Sequence, residues 1–79
     1  MEVEIYTKDN CVWCTRAKNL MDDLKIPYIE YNLSDDDERN EFYKKMGENV
    51  STVPQVFIDG NRIGGYRELS RWFELNGNK

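Results

Sequence analysis

The sequence predicts an α/β domain in which a four-stranded mixed sheet is flanked by helices, in the order β-α-β-α-β-β-α. Three observations carry that expectation. An alternating run, Val3-Glu4-Ile5-Tyr6, gives way at Cys11-Val12-Trp13-Cys14 to apolar residues at helical spacing, as where a strand feeds a helix. Asp59-Gly60, set between Thr52–Ile58 and Asn61-Arg62-Ile63, is a strong two-residue hairpin signal. Pro27 and Gly47 punctuate the first two helical stretches. Seventy-nine residues leave room for one core, so 1–79 is expected to be a single domain, without repeat, low-complexity segment or linker.

Each element has a local reason. Val3 to Thr7 puts Val3 and Ile5 on one face of a strand and Glu4 and Tyr6 on the other. From Cys11 onward, Cys14, Ala17, Leu20, Met21 and Leu24 recur at helical spacing while Arg16, Lys18, Asp22 and Asp23 fall elsewhere. Cys14 therefore lies on the inward stripe, and Trp13 lies off it, exposed. Pro27 disfavours helical geometry at Ile26, which sets the end of this helix near Lys25. Tyr28, Ile29 and Tyr31 form a second strand, with Leu33 beyond it. Ser34 followed three residues later by Asp37 approximates a capping box, and Asp35, Asp36, Asp37 and Glu38 suit the positive end of a second helix.

Arg39, Phe42, Tyr43 and Met46 share one face of that helix, and Gly47 is placed to end it in a left-handed cap. Thr52-Val53-Pro54-Gln55-Val56-Phe57-Ile58 is a strand opened by a proline. A last helix starts near Tyr66 and turns Leu69, Trp72 and Phe73 inward before the polar Asn76-Gly77-Asn78-Lys79 tail. The first two strands must be parallel and joined by a right-handed crossover, whereas the hairpin makes the last two antiparallel. If the first strand pairs with the third, the start of the cysteine-bearing helix comes close to Pro54.

The totals exclude several classes. With 33% charged and 39% hydrophobic residues, the composition is that of a soluble globular domain. No apolar run approaches the roughly 20 residues needed to span a bilayer. Met-Glu-Val-Glu lacks the basic start and apolar stretch of a signal peptide, so the expected location is the cytoplasm, with no membrane partner. Thiols rest mostly reduced there, which favours a catalytic or metal role over a permanent staple. Structural zinc takes four nitrogen or sulfur ligands, and two cysteines with no histidine cannot supply them from one chain. No metal is expected. A net charge of −4 opposes a nucleic-acid partner, which needs clustered Lys and Arg.

The two cysteines then carry the chemistry. The first turn of a helix presents unpartnered N–H groups and the positive end of the helix dipole, and both favour an anion. Cys11 should therefore ionise more easily than a free cysteine, and Lys8, three residues upstream, adds a cation. Residues three apart on a helix share a face, so Cys14 can reach the Cys11 sulfur. A mixed disulfide formed at Cys11 can be resolved by Cys14 or by an outside thiol.

The element order, with Cys11-Val12-Trp13-Cys14, Thr52-Val53-Pro54 and Gly64-Gly65, resembles the glutaredoxins, the small glutathione-linked branch of the thioredoxin-like fold, over essentially the whole chain. Val12 and Trp13 stand where the family usually has Pro and Tyr, and Arg67 stands where many members have an acid. The resemblance implies a glutathione-dependent thiol–disulfide oxidoreductase with Cys11 as nucleophile and Cys14 as resolving thiol. It implies a cis bond before Pro54, with the Val53 backbone pairing with glutathione, and Thr52 and Trp13 beside them. Lys8 and Arg39 match positions that hold the glycyl carboxylate. Gly65, Tyr66 and Glu68 fall where the family binds the γ-glutamyl end, Glu68 taking the ammonium. Implied partners are glutathione as co-substrate, with no tightly bound cofactor, and disulfide-bearing proteins such as ribonucleotide reductase, acted on by a monomer. Two other activities fit the same residues: a redoxin drawing electrons from thioredoxin reductase, and an iron–sulfur cluster carrier using Cys11 and glutathione.

Overall fold

The computed structural model describes residues 1–47 and 50–76. The expected tail at Gly77-Asn78-Lys79 lies outside the described residues. The elements are β1 (Val3–Thr7), α1 (Val12–Asp23), β2 (Ile29–Asn32), α2 (Asp36–Met46), β3 (Gln55–Ile58), β4 (Asn61–Gly64) and α3 (Tyr66–Asn76). This is the order read from the sequence. The strands form one mixed sheet in the order β2-β1-β3-β4, with β1 parallel to β2 and antiparallel to β3, and β3 antiparallel to β4. The hairpin turn has positive φ at both Asp59 and Gly60, the geometry that matches the twist of the strands it joins.

Alternation along β1 decides which layer each helix joins. Val3 and Ile5 face α1 and α3, where they pack with Ala17, Met21, Val56, Ile58, Leu69 and Phe73 in the main core. Tyr6 points to the other face, where its ring lies 4.8 Å from Tyr31, 4.4 Å from Phe42 on α2 and 5.6 Å from Phe57. Burying one such side chain contributes roughly 1.5–3 kcal/mol, so these two layers carry the fold. β2 differs from the inner strands in that all four of its residues are exposed, because it forms the edge and pairs with β1 alone.

The helix ends depart from the sequence expectation in three places. α1 stops at Asp23, two residues before the expected Lys25. Lys25 adopts a left-handed conformation at φ 58° and donates to Asp22 O, while Ile26 donates to Met21 O, so carbonyls at the end of the helix are satisfied without a glycine. α2 is capped by Asp35, whose carboxylate accepts from Glu38 N at 3.0 Å, and not by Ser34. The Ser34 hydroxyl instead accepts from Asp9 N at 2.7 Å, a long-range claim that local spacing does not reveal. Gly47 ends α2 with φ 107° and ψ 172°, a glycine region outside the left-handed helical basin expected for the cap.

Candidate active site

Pairing of β1 with β3 places the β1–α1 connection against the segment leading into β3. Cys11 is the N-cap of α1, and its sulfur accepts from Cys14 N at 3.2 Å. The same sulfur lies 3.7 Å from Val53 O, across the sheet from its own helix, and the Val53–Pro54 peptide bond is cis. Cys11 and Cys14 are joined by a disulfide, with Cα atoms 5.2 Å apart. The two sulfurs are unequally placed: Cys14 is 1% exposed within the core face of α1, whereas Cys11 is half-buried at the surface. An incoming group can therefore reach Cys11 first.

The loop bearing Cys11 is tied down from the other side of the sheet. Asn32 Nδ2 donates to Asp9 Oδ1 at 3.0 Å, Asp9 N donates to Ser34 Oγ at 2.7 Å, and Ser34 N donates to Asn32 Oδ1 at 3.0 Å. This closed set of bonds binds the β1–α1 loop to the β2–α2 loop. It satisfies backbone groups that would otherwise have only water as partner.

On one side of Cys11 a groove of about 760 Å³ runs between α1, the Pro54 segment and α3. Its walls include Trp13, Thr52, Val53, Pro54, Gly65, Tyr66 and Glu68. Trp13 is 53% exposed and its ring lies 5.6 Å from that of Tyr66. Lys8 does not border this groove; it lines a separate polar cleft that Cys11 also borders. Arg39 lines neither of them. Its guanidinium donates to Leu33 O at 3.0 Å, to Ser34 O at 3.2 Å and to Asp36 Oδ1 at 2.6 Å, so nearby acceptors claim it. Ser70, Arg71 and Glu74 extend the groove unforeseen, although with Arg67 they recur at helical spacing along one face of α3.

Glu68 has a role that spacing alone did not show. Its Oε1 accepts from Gly65 N at 2.8 Å, folding the side chain back over the start of α3. A Cβ on Gly64 would lie 2.9 Å from Glu68 Cγ, and Gly64 has φ +125°, so both space and backbone demand glycine there.

Lys18, on the wall of the second cleft, is held from behind by Glu30. Glu30 Oε2 accepts from Thr7 Oγ1 at 2.6 Å and from Lys18 Nζ at 3.1 Å. The Thr7 hydrogen bond, opposed by burial and aided by Lys18, holds the Glu30 carboxyl below its ordinary value of 4.5. A carboxyl with a depressed folded pKa contributes stability that is present above its unfolded pKa and lost as pH falls through the folded value. Chemical denaturation of the wild type and Glu30→Gln is therefore expected to show a stability difference at pH 7. That difference should narrow as pH drops below about 4.3. A gap that stayed constant from pH 7 to 3 would contradict this account.

A redox-active pair at the mouth of a helix, one sulfur offered and one hidden, on a thioredoxin-like fold, defines a thiol–disulfide oxidoreductase. A family model for glutaredoxin matches residues 3–63. The chain belongs to the glutaredoxin family. It is similar to Glutaredoxin 1 of Escherichia coli (strain K12), at 31% identity over 83 residues, which covers 96% of this chain and 96% of that protein. Glutaredoxin 3 of the same organism is 41% identical over 68 residues, covering 85% and 80%. Among solved structures, glutaredoxin 1 from Francisella tularensis complexed with cacodylate matches with a TM-score of 0.89 at 36% identity, over 99% of this chain and 98% of that one. A buckwheat glutaredoxin–glutathione complex matches at 0.76 and 28% identity, over 96% and 70%. No helix among the described residues is long and apolar enough to cross a membrane.

Proposed function

We propose that the chain is a dithiol glutaredoxin that uses glutathione to reduce glutathione mixed disulfides and protein disulfides. The observation that carries this reading is the groove beside Cys11, whose walls combine a backbone segment at Val53, an aromatic ledge and a helix start at Gly65. Glutathione is an extended peptide with a carboxylate at each end and one ammonium. Val53 offers its backbone, the start of α3 favours the γ-glutamyl carboxylate, and Lys8 serves the glycyl end from the neighbouring cleft. Glu68 turns from Gly65 N to the ammonium when the ligand arrives.

In the first reaction the Cys11 thiolate attacks the glutathionyl sulfur of a mixed disulfide. A Cys11–glutathione bond forms, the old S–S bond breaks, and the substrate leaves as a thiolate that takes up a proton. A second glutathione thiolate attacks the Cys11-bound glutathionyl sulfur, giving oxidised glutathione and free Cys11. With a protein disulfide, Cys11 forms a mixed disulfide with the protein, and Cys14 then attacks the Cys11 sulfur. The reduced protein leaves and the Cys11–Cys14 bond remains for two glutathiones to open. Cys14 N–H, already aimed at the Cys11 sulfur, stabilises the thiolate at each stage. The reading places the protein in the cytoplasm as a monomer, with disulfide-bearing proteins such as ribonucleotide reductase as substrates.

Turnover of a glutathionylated peptide with glutathione as the sole reductant is the test. Steady release of oxidised glutathione is expected. No turnover with glutathione, together with reduction by thioredoxin reductase, would replace this reading with that of a reductase-linked redoxin.

A further inference from the structure

The groove beside Cys11 does not end at Glu68. It continues along α3 past Arg67 and Arg71 to Glu74, beyond the residues that glutathione binding uses. Arg67 and Arg71 lie one turn apart on exposed positions of α3. From α1, Arg16 lays its guanidinium 4.8 Å from the centre of the Trp13 ring, and Trp13 in turn meets Tyr66. Three guanidiniums thus border one aromatic ledge next to the reactive sulfur. The ion pairs among the described residues join Lys18 to Glu30, Arg39 to Asp36 and Lys44 to Glu41, and none of them uses Arg16, Arg67 or Arg71. Of the two acids on the groove, Glu68 is bound at the positive end of α3, and Glu74 stands at the far end. The ledge is therefore locally positive on a chain whose net charge is −4.

We infer that the protein substrate of this chain presents acidic side chains beside its reactive cysteine, and that Arg16, Arg67 and Arg71 select it. A guanidinium is always charged and pairs with a carboxylate through parallel hydrogen bonds. Stacking over Trp13 restrains Arg16 before any partner arrives, so less freedom is lost on pairing. At physiological salt the Debye length is about 8 Å, so a docked segment responds chiefly to the charges that line the groove. The inference rests on the proposed attack by Cys11 and is independent of glutathione as reductant.

The test uses the full chain carrying Cys14→Ser, reduced, and two peptides of equal length whose cysteine bears a thionitrobenzoate group. One peptide has aspartates on both sides of the cysteine, the other lysines. The Cys11 thiolate attacks the peptide sulfur; the Cys11–peptide bond forms as the peptide–thionitrobenzoate bond breaks, and the coloured thionitrobenzoate anion leaves with the electron pair. Rates are divided by those of the same peptides with 2-mercaptoethanol, which removes the effect of flanking charge on exchange itself. The acidic peptide is expected to react roughly tenfold faster than the basic one at about 0.15 M salt. Arg67→Glu with Arg71→Glu should reverse the order, and the milder Arg71→Gln should shrink the preference. Equal normalised rates, or a preference that survives both variants, would overturn the inference. The expected preference without any turnover by glutathione would support it and sink the glutathione reading alone.

Discussion

Replacing Cys11 with serine is expected to abolish every thiol-exchange activity, while Cys14→Ser should spare reduction of glutathione mixed disulfides and reduce protein disulfide reduction to background. The asymmetry follows from the placement of the two sulfurs. Cys11 caps α1 at the surface, where its sulfur accepts from Cys14 N and lies 3.7 Å from the carbonyl of Val53, a wall residue of the groove. The thiolate is the nucleophile, and a serine hydroxyl at neutral pH supplies no equivalent anion. Cys14 is closed off within the core face of the helix, so its only partner in exchange is the neighbouring Cys11. A mixed disulfide with glutathione needs one protein thiol, because a second glutathione completes the cycle; a protein disulfide needs both. Assaying the two variants on a glutathionylated peptide and on a disulfide-bonded protein separates the roles. Similar profiles for the two variants would overturn the assignment of attacker and resolver.

The second large effect is on stability. Leu69→Ala is expected to cost about 2–5 kcal/mol, the range for deleting a fully buried leucine side chain. Leu69 is 0% exposed and packs with Phe73 into the main core, where it fastens α3 to the sheet. For a domain of this length the whole stability is roughly 4–12 kcal/mol, so a large share would go. The melting midpoint should fall by more than about 10 °C. Because Tyr66 and Glu68 are on the first turn of the same helix, loosening α3 should also weaken the groove. Thermal unfolding of the variant measures the first effect, and a midpoint within a few degrees of the wild type would show that α3 is held by other contacts.

Much of this was legible in the residues, for identifiable reasons. The element order could be read because each strand and helix shows its own period, and because Asp59-Gly60 is a turn chemistry with few alternatives. The inward position of Cys14 and the exposure of Trp13 follow from helical spacing alone, and the structure has both. What spacing could not show is which of several available partners each polar group takes. Ser34 and Asp35 are adjacent and equally fit to cap α2, and the choice between them is made by Asp9 of the β1–α1 loop, which takes the serine hydroxyl. The Arg39 guanidinium donates to Leu33 O, Ser34 O and Asp36 Oδ1, a choice among nearby acceptors that helical spacing does not specify. Glu68 accepts from the Gly65 amide, because a free N–H at a helix start attracts the nearest carboxylate.

The bonds among Asp9, Asn32 and Ser34 carry a mechanical implication. β2 is one of the two margins of the sheet, where strands peel most readily, and the turn that holds the reactive sulfur is lashed to its far end. Fraying of that margin would not stay a local event: it would slacken the seat of Cys11, so an outer strand of the sheet also guards the molecule's sharpest tool.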